Sequence, residues 1–296
     1  MKLSIAILSF NTKQLTLDCL KSIFDTSVSL DLEVIVIDNA STDGSPQAIK
    51  NQFPQAKLIE NATNTGFTTA NNQGIAQAAG EYILLLNSDT IVKPNAIQTL
   101  ADYLDQHPRV GIAAPQLLNP NGSIQPNGGF LPRLSNIAAW MLFIDDLSWV
   151  KSWFWSYQLR DVAYFKATRS LGWVQGAAMI LRRSLLDQIG PLDEHIFMYG
   201  EDVEICYRAK AAHWQVMLIP QAQVVHQSFG SGSPGKAILG EYQGLKYIFQ
   251  KHKPAWELPL LRLLLKLGAL LRLCLFGTIL ADKQKYATYK TAVSLA

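Results

Sequence analysis

Cysteine is scarce in this chain, which excludes one class of protein. Cys19, Cys206 and Cys274 are scattered over 296 residues and lack the short spacing of a metal-binding motif. An odd, dispersed set does not suit a disulfide framework of the kind found in small secreted domains, and it is typical of a reducing compartment. Because 49% of the residues are hydrophobic, we expect an apolar core to stabilise the fold.

The sequence also lacks the glycine-rich motifs by which many α/β proteins bind phosphate. It has no G-x-x-x-x-G-K-[ST] motif, and no G-x-G-x-x-G follows its first predicted strand. A G-x-S-x-G nucleophile elbow is absent too. These absences argue against a P-loop NTPase, a dinucleotide oxidoreductase and an α/β-hydrolase. A diphosphate would need another partner, and a divalent cation is the obvious one.

Long apolar runs are missing as well. The best candidate, residues 256–280, is interrupted by Arg262, Lys266 and Arg272, whereas a spanning helix needs about 20 mostly apolar residues. The first ten residues do not resemble a signal peptide, because Asn11 ends the apolar run too early. We therefore expect neither a membrane-spanning helix nor a signal peptide. We also expect no nucleic-acid partner, because the basic residues cluster on a leucine-rich tail rather than among stacking aromatics.

Strand-like and helix-like segments alternate in the first half of the chain, which predicts an α/β fold with a mostly parallel sheet flanked by helices. The carboxyl ends of parallel strands meet at one edge of a sheet, where such folds bind ligands. Polar residues follow each predicted strand, so we expect them to converge there. The predicted strands span residues 3–9, 32–37, 56–59, 82–86 and 110–114.

The second half is less regular. Residues 115–170 are rich in Gly and Pro as far as Pro132 and then crowd aromatics together, including Trp149, Trp153, Phe154 and Trp155. This segment is either an irregular acceptor-side insert or a loop-rich subdomain with its own aromatic core. Further strands are expected over 173–181, 215–220 and 223–225, and helices over 182–189, 201–212 and 237–250. The Gly/Ser-rich stretch 228–235 predicts a flexible loop.

Four ordered motifs resemble the inverting GT-A glycosyltransferases of family 2, and within that family the rhamnosyltransferase-like branch. The resemblance covers roughly residues 3–230 and implies a GT-A catalytic domain over 1–235, with 115–170 as its insert. The leucine-rich sequence that follows predicts a helical segment over 236–296. The motifs read IVIDNASTDGS from Ile35, NTGF from Asn64 with NNQG from Asn71, LNSDT from Leu86, and FMYGEDVE from Phe197.

The resemblance implies a nucleotide-sugar site. Asp38 would accept a hydrogen bond from the base, and Gly66 would let the backbone approach the ribose. The alternatives are that Asp38 caps the turn that follows it and that Gly66 only permits a left-handed turn. The residues assigned to this site are Ser9, Asn11, Asp38, Asn64, Gly66, Phe67, Asn71, Asn87, Ser88, Trp173, Gln175 and Gly176.

The resemblance also implies a metal site for Mn²⁺ or Mg²⁺. Asp89 matches the last acid of the family's D-x-D motif, and His226 matches the position of an imidazole ligand. The first acid is replaced by Asn87, which brings no charge and makes the site less anionic. The alternatives are that Asp89 only caps a turn and that His226 is structural.

Catalysis needs a base because a sugar hydroxyl is a weak nucleophile. The resemblance makes Asp202 that base, with Glu201 as an orienting neighbour. Both acids begin a predicted helix, where the helix dipole favours carboxylates, so helix capping is the alternative.

The C-terminal tail differs in charge from the rest of the chain. From Lys246 onward nine lysines and arginines accompany two acids, a net charge of +7, whereas the preceding part carries −4. A basic, leucine-rich helix suits an anionic membrane surface. Packing on the catalytic domain and an oligomer contact are the alternatives.

Together these features predict an enzyme at the inner, cytoplasmic face of the cell membrane. It would move a sugar, for which the resemblance suggests rhamnose, from a dTDP-, UDP- or GDP-linked donor to a saccharide or lipid-linked acceptor in surface polysaccharide synthesis. The alternative is a catalytically inactive sugar-nucleotide-binding module.

Overall fold

A computed structural model describes residues 2–27, 30–147, 157–228 and 234–296. The chain divides into two compact units. The first comprises Met1–Gly128, Arg160–Phe197 and Glu201–Ser231. The second comprises Gly129–Leu159, Met198–Gly200 and Gly232–Ala296, so part of the segment predicted as a catalytic-domain insert groups with the C-terminal helices.

The first unit is built on a ten-stranded sheet whose main path runs β3-β2-β1-β4-β11-β6-β12-β5, with β7 beside β6 and β9 beside β12. A separate pair is formed by β8 and β10. The strands are β1 Leu3–Ser9, β2 Leu32–Asp38, β3 Lys57–Glu60, β4 Tyr82–Asn87, β5 Thr90–Val92, β6 Val110–Leu118, β7 Ile124–Gln125, β8 Gly128–Gly129, β9 Arg169–Ser170, β10 Trp173–Val174, β11 Ala178–Arg182 and β12 Gln215–His226.

Ten α-helices lie within the described residues, and a π-helical turn, Leu275–Ile279, extends one of them. The helices are α1 Lys13–Thr26, α2 Ser45–Gln52, α3 Phe67–Gln77, α4 Ala96–Gln106, α5 Leu134–Met141, α6 Arg183–Ile189, α7 Glu201–Ala211, α8 Pro234–His252, α9 Glu257–Cys274 and α10 Lys283–Leu295.

The predicted α/β class is confirmed. Strands β1 to β4 are mutually parallel along their shared path, and β12 runs parallel to β6. One face of the sheet packs against apolar residues of α1, α2 and α4 in a single core cluster. Helix α3 covers the other face, where Gly74 allows it to approach Ala6 and Ile37 so closely that a Cβ would lie 2.8 Å from each. Burial on both faces explains why these strands are continuously apolar.

The predicted strand boundaries are less accurate around β6 and β12. Strand β6 continues through Pro115, where the predicted strand stops, and β12 is one strand rather than two. Their register shifts between Ile219 and Gln223, opposite Pro115, so the proline lies at an irregularity of the ladder. Such positions tolerate a residue that has no N–H to donate. The predicted strand 173–181 is interrupted at Gln175–Ala177, which separates β10 from β11.

In the second unit, α5 packs against α9, and α8 and α10 complete a helical group. Gly268 of α9 allows close approach to Met141, since a Cβ would lie 2.5 Å from the Met141 sulfur. The aromatic residues Trp149, Trp153, Phe154 and Trp155, on which the predicted aromatic cluster depended, lie outside the described residues, as do residues 229–233 of the predicted flexible loop.

Arg272 corrects one expectation about the tail. Its guanidinium is buried and donates to the backbone carbonyls of Met141 at 2.7 Å and Trp140 at 2.8 Å. It also lies over the Phe143 ring, 4.2 Å from the centroid. Arg272 therefore joins α9 to α5 and does not reach for headgroups. Arg262 and Lys266 are exposed.

Candidate active site

Asp202 lies in the first turn of α7, next to the interruption between β10 and β11. Its Oδ2 accepts a hydrogen bond from the Gly176 N–H at 3.2 Å, and its Oδ1 accepts one from the Val203 N–H at 2.8 Å. A Cβ on Gly176 would lie 3.6 Å from the Asp202 Cβ and 4.0 Å from the Phe67 ring. The structure therefore brings Phe67, Gly176 and Asp202 together. None of these three is close to another in the sequence.

The environment of Asp202 suits a proton acceptor. Burial raises the pKa of the carboxyl to about 6, and the N–H groups of Gly176 and Val203 oppose that rise by stabilising the carboxylate. A carboxyl with a pKa near 6 is ionised at neutral pH and still basic enough to take a proton.

Helix α7 contains an ion pair between Glu204 and Arg208 that the sequence analysis did not identify. Glu204 is fully buried and bonds Arg208 at 2.8 Å, and Arg208 also donates to the carbonyl of Gly190 at 3.1 Å and to that of Pro191 at 2.7 Å. These bonds hold α7 against the end of α6. Glu201, the predicted orienting neighbour, is buried beside Asp202 in the same turn.

Asp89 and His226 meet although 137 positions separate them in the numbering. Strand β5, which the sequence analysis did not predict, pairs antiparallel with β12 so that Thr90 lies opposite His226. The Gln227 N–H donates to the Asp89 carbonyl at 2.9 Å. As a result, the Asp89 Oδ1 and the His226 Nε2 lie 3.4 Å apart, and both residues are buried.

This pair is linked to Asp202 through the backbone. The Asn87 N–H, at the end of β4, donates to the carbonyl of Ala177 at 2.9 Å. Ala177 follows Gly176, whose N–H contacts Asp202, and Asn87 lies two residues before Asp89. The predicted base and the predicted metal ligands therefore lie along one edge of the first unit.

Asp38, the residue predicted to bind the nucleobase of the donor, lies at the end of β2. Asp38 is buried, and its Oδ1 accepts a hydrogen bond from the Ser41 N–H at 2.8 Å, so it does cap the following turn. Its Oδ2 is buried and has no hydrogen-bond partner within the described residues. A buried acceptor without a donor is costly, and a ligand N–H would offset that cost. Capping thus occupies one oxygen and leaves the second for a ligand.

Asn39, which follows Asp38, organises the neighbouring loop. Its Nδ2 donates to the Asn64 Oδ1 at 2.8 Å, and its Oδ1 accepts from the Thr65 N–H at 3.0 Å. Gly66 has φ of +89°, and the Phe197 ring lies where its side chain would be, 2.6 Å from a built Cβ. Asn71, one turn into α3, donates to the Phe67 carbonyl at 2.9 Å. The loop is therefore held in one shape against β2.

Ser9 and Ser88, two residues predicted to line the nucleotide-sugar site, form hydrogen bonds within the fold. Ser9 is fully buried, and its hydroxyl lies 3.1 Å from that of Thr16. Ser88 likewise bonds Thr12, at 3.0 Å. Asn11 is exposed, and its Oδ1 accepts from the Thr42 N–H at 2.8 Å, which ties the loop after β1 to the loop after β2.

Trp173 and Gln175 lie on the other side of Gly176. The Trp173 side chain is buried, and Gln175 donates its N–H to the Asn127 carbonyl at 2.9 Å. Asn127 is itself buried, and its Nδ2 donates to the Pro115 carbonyl at 2.9 Å. These bonds hold the segment that supplies the Gly176 N–H to Asp202.

Sequence reasoning missed two side chains near the predicted ligands. Phe197 is 61% exposed beside Gly66, although it belongs to the motif that contains Asp202. Gln125 contacts His226, with its Oε1 2.8 Å from the His226 Nδ1. Nothing in the local sequence marks Gln125, because its contact depends on the pairing of β6 with β7 and β12.

The next question is whether the side chains at this site could bind a divalent cation. Within the described residues, no three His, Cys, Asp or Glu side chains are grouped closely enough to hold a metal ion. Asp89 and His226 supply one oxygen and one nitrogen, which suits Mn²⁺. The pair fits a cation whose remaining ligands come from a diphosphate and water.

Comparison with known proteins agrees with this architecture. The model of glycosyl transferase family group 2 matches residues 82–283, and that of glycosyl transferase family 2 matches residues 4–128. The N-acetylglucosaminyl-diphospho-decaprenol L-rhamnosyltransferase of Mycobacterium tuberculosis is 32% identical over 255 residues, which cover 80% of this chain and 82% of that one. The chain belongs to glycosyltransferase family 2. Within that family it is a rhamnosyltransferase-like enzyme.

Solved structures support the fold of this glycosyltransferase. A mannosyltransferase from Pyrobaculum calidifontis in complex with GDP-Man and Mn²⁺ has a TM-score of 0.59 at 19% identity, covering 99% of this chain and 84% of that one. GalNAc-T7 with UDP, GalNAc and Mn²⁺ has a TM-score of 0.61 at 15% identity, covering 84% of this chain and 47% of that one. At these identities the likeness shows the GT-A fold, as predicted.

Proposed function

We propose that this glycosyltransferase moves rhamnose from a nucleotide-diphosphate donor to a lipid-linked saccharide acceptor in surface polysaccharide synthesis, with inversion at the anomeric carbon. The observation that carries the reaction type is Asp202: a partly buried carboxyl with a pKa of about 6, held by two backbone N–H groups beside Phe67 and Gly176. The sugar and the acceptor rest on the name of the mycobacterial relative.

In this mechanism Asp202 accepts the proton of an acceptor hydroxyl while the hydroxyl oxygen attacks the anomeric carbon. The bond from that carbon to the diphosphate oxygen breaks in the same displacement, which inverts the configuration. General-base assistance of this kind contributes about 10²–10⁴-fold. The N–H groups of Gly176 and Val203 hold the carboxylate in place before the proton is transferred.

Asp89 and His226 would hold Mn²⁺ or Mg²⁺ at the donor diphosphate. When bound, such an ion supplies Lewis-acid stabilisation of the leaving diphosphate. Asn87 contributes no charge, so we expect the donor diphosphate to supply much of the negative charge that binds the cation. Asp38, through its Oδ2, would accept a hydrogen bond from the nucleobase of the donor.

Membrane association is the second part of the proposal. One face of α9, together with Trp256 directly before the helix, exposes a row of residues: Trp256, Leu260, Leu263, Leu267, Leu270 and Cys274. We call this row, spaced by three or four residues, the exposed stripe. The opposite face, with Leu261 and Leu265, is buried. No described helix is long and apolar enough to cross a bilayer.

The charges beside the exposed stripe favour an anionic membrane surface as its partner. Arg262 and Lys266 each directly precede a stripe leucine and are exposed. Basic side chains in that position can extend to headgroups while the leucines enter the interface. Attachment at the cytoplasmic face would place the enzyme beside a lipid-linked acceptor.

A panel of nucleotide sugars tests the donor. We expect one of the UDP-, GDP- or dTDP-linked sugars to raise the melting temperature with Mn²⁺ or Mg²⁺, and less without the ion. Stabilisation should reach about 2.7 kcal/mol at a hundredfold excess over the dissociation constant. If no nucleotide sugar shifted the melting temperature in either ion, the proposed donor class would be wrong.

A further inference from the structure

A series of side-chain hydrogen bonds connects the turn between β6 and β7 to His226, and the direction of each bond can be determined. The series begins at a backbone group. The Ser123 N–H donates to the Asn121 Oδ1 at 3.0 Å, so that atom is the amide oxygen. The Ser123 hydroxyl lies 2.7 Å from the same oxygen and must donate to it, since an amide oxygen only accepts.

The next bonds follow from that assignment. Because the Ser123 hydroxyl has donated its hydrogen, it accepts from the Asn119 Nδ2 at 2.9 Å. The Asn119 Oδ1 then accepts from the Gln125 Nε2 at 3.0 Å. The same Gln125 Nε2 donates to the Ser228 hydroxyl at 2.9 Å. Both hydrogens of the Gln125 amide are thereby used, and its Oε1 faces His226.

The last bond shows which nitrogen carries the proton when the imidazole is neutral. The Gln125 Oε1 lies 2.8 Å from the His226 Nδ1, and an amide oxygen at that distance requires a donor. The Ser228 hydroxyl, at 3.4 Å from Nδ1, is the longer contact. The proton of neutral His226 is therefore on Nδ1, and the Nε2 carries a lone pair.

That lone pair faces the Asp89 Oδ1 at 3.4 Å. A carboxylate oxygen and an unprotonated imidazole nitrogen both offer lone pairs, so their proximity favours a shared cation. We propose that Gln125, oriented by Asn119, is a positioning residue that makes His226 Nε2 available as a metal ligand. The inference rests on the proposed function, because that function supplies the metal.

Residues behind a metal ligand typically change metal affinity about 10–100-fold when they are replaced. Gln125→Met keeps the side-chain length but removes the acceptor, so we expect Mn²⁺ to bind 10–100-fold more weakly. Gln125→Glu keeps an acceptor for the Nδ1 proton and should stay within a few-fold of wild type. Gln98→Met is the matched control, because Gln98 is also half-buried but its side chain donates to Asp102 within α4, away from His226.

Two measurements test this proposal, the affinity for Mn²⁺ and the tautomer of His226. Free Mn²⁺ is followed by electron paramagnetic resonance in the presence of UDP, GDP or dTDP, whichever belongs to the nucleotide sugar with the largest thermal shift. The tautomer of His226 is read from ¹⁵N shifts in metal-free protein near pH 8, with His226→Gln used to assign the signal. We expect the proton on Nδ1 in wild type and in Gln125→Glu, and a mixture of tautomers in Gln125→Met.

Three results would overturn the inference: a wild-type His226 protonated on Nε2, a Gln125→Met enzyme that binds Mn²⁺ like wild type, or a Gln125→Glu enzyme as weak as Gln125→Met. If Gln125→Met did not fold, the wild-type tautomer and Gln125→Glu would still decide. Absence of Mn²⁺ binding by wild type would instead contradict the proposed function, and the tautomer could still be read.

Discussion

The two units of this glycosyltransferase carry opposite kinds of costly surface. The first buries polar side chains: Asp38, Asp89 and His226 are all less than 10% exposed at one edge of its sheet. The second leaves leucines in water along α9, with Leu263 54% exposed. Burying polar atoms and exposing apolar area both oppose folding unless a partner compensates. The difference matches the two partners proposed above, a charged ligand for the first unit and a membrane interface for the second.

The charged residues that each unit buries have different purposes. The pKa of Asp202 is raised, and within the described residues its carboxyl accepts from the backbone N–H groups of Gly176 and Val203, which suits reaction with a substrate. Arg272 donates to the backbone carbonyls of Met141 and Trp140 and lies over the Phe143 ring, which suits a structural role. Removing charge at these two positions should therefore affect activity in one case and stability in the other.

The largest expected effect is on catalysis. Asp202→Asn removes the proton acceptor while preserving side-chain shape, so we expect the transfer rate to fall about 10²–10⁴-fold. Sugar transfer is measured with the donor identified by thermal shift. Asp187→Asn makes the same change at an exposed acid of α6 and should leave the rate unchanged. Near-normal turnover by Asp202→Asn would show that another group is the base.

Arg272 provides the reverse case. Arg272→Met leaves the carbonyls of Trp140 and Met141 without their donor, and we expect the free energy of unfolding to fall by about 2–3 kcal/mol. Arg262→Met is the control, because Arg262 is exposed on the same helix. Denaturant unfolding measures both variants. Equal stability of the two would mean that the buried bonds of Arg272 contribute little.

The pH dependence of the first unit is a smaller effect of the same carboxyl. Burial raises the pKa of Asp202 to about 6, and below that pH the group is protonated and cannot accept a proton. We expect kcat/KM to level off above about pH 6 and to fall about tenfold per pH unit below it. A kcat/KM that stays constant from about pH 5 to 8 would show that the ionisation of Asp202 does not control the reaction.

The smallest effect concerns the exposed stripe, for which Cys274 is a natural reporter. Cys19 and Cys206 are buried with thiol pKa values raised to about 12, whereas Cys274 is exposed at the end of the stripe. Vesicles containing anionic phospholipid should slow the labelling of Cys274 by a polar thiol reagent several-fold.

Leu263→Glu should abolish that protection, and Leu147→Glu, at an exposed leucine outside α9, should preserve it. Vesicles that leave the labelling rate of the wild type unchanged would contradict membrane attachment. Protection that depends on protein concentration and not on lipid would identify a second copy of the chain as the partner of the stripe.

Local patterns predicted much of the first unit and little of the contacts within it. Buried strands such as Tyr82–Asn87 are continuously apolar, and the polar residues that follow them lie at one edge because the strands are parallel. Strand β5 was missed because three residues make too short a pattern, and its partner lies more than a hundred residues away. Yet β5 is what brings Asp89 to His226.

The same limit applies to α9. Both of its long faces are rich in leucine, so periodicity alone did not show which face is buried. Arg272 appeared to belong to the basic surface because the sequence does not reveal the carbonyls of α5 that it bonds. Gln125 was invisible for a similar reason: its importance comes from one contact across strands.

The most direct test asks whether Asp202 acts in catalysis while Asp89 acts in metal-dependent donor binding. Wild type, Asp202→Asn and Asp89→Asn are titrated by calorimetry in Mn²⁺ with the nucleotide sugar that gives the largest thermal shift. The account predicts that Asp202→Asn binds the donor within a few-fold of wild type, whereas Asp89→Asn loses the Mn²⁺-dependent part of the affinity. Equal losses in both variants, or a donor affinity that Asp89→Asn leaves intact, would contradict it.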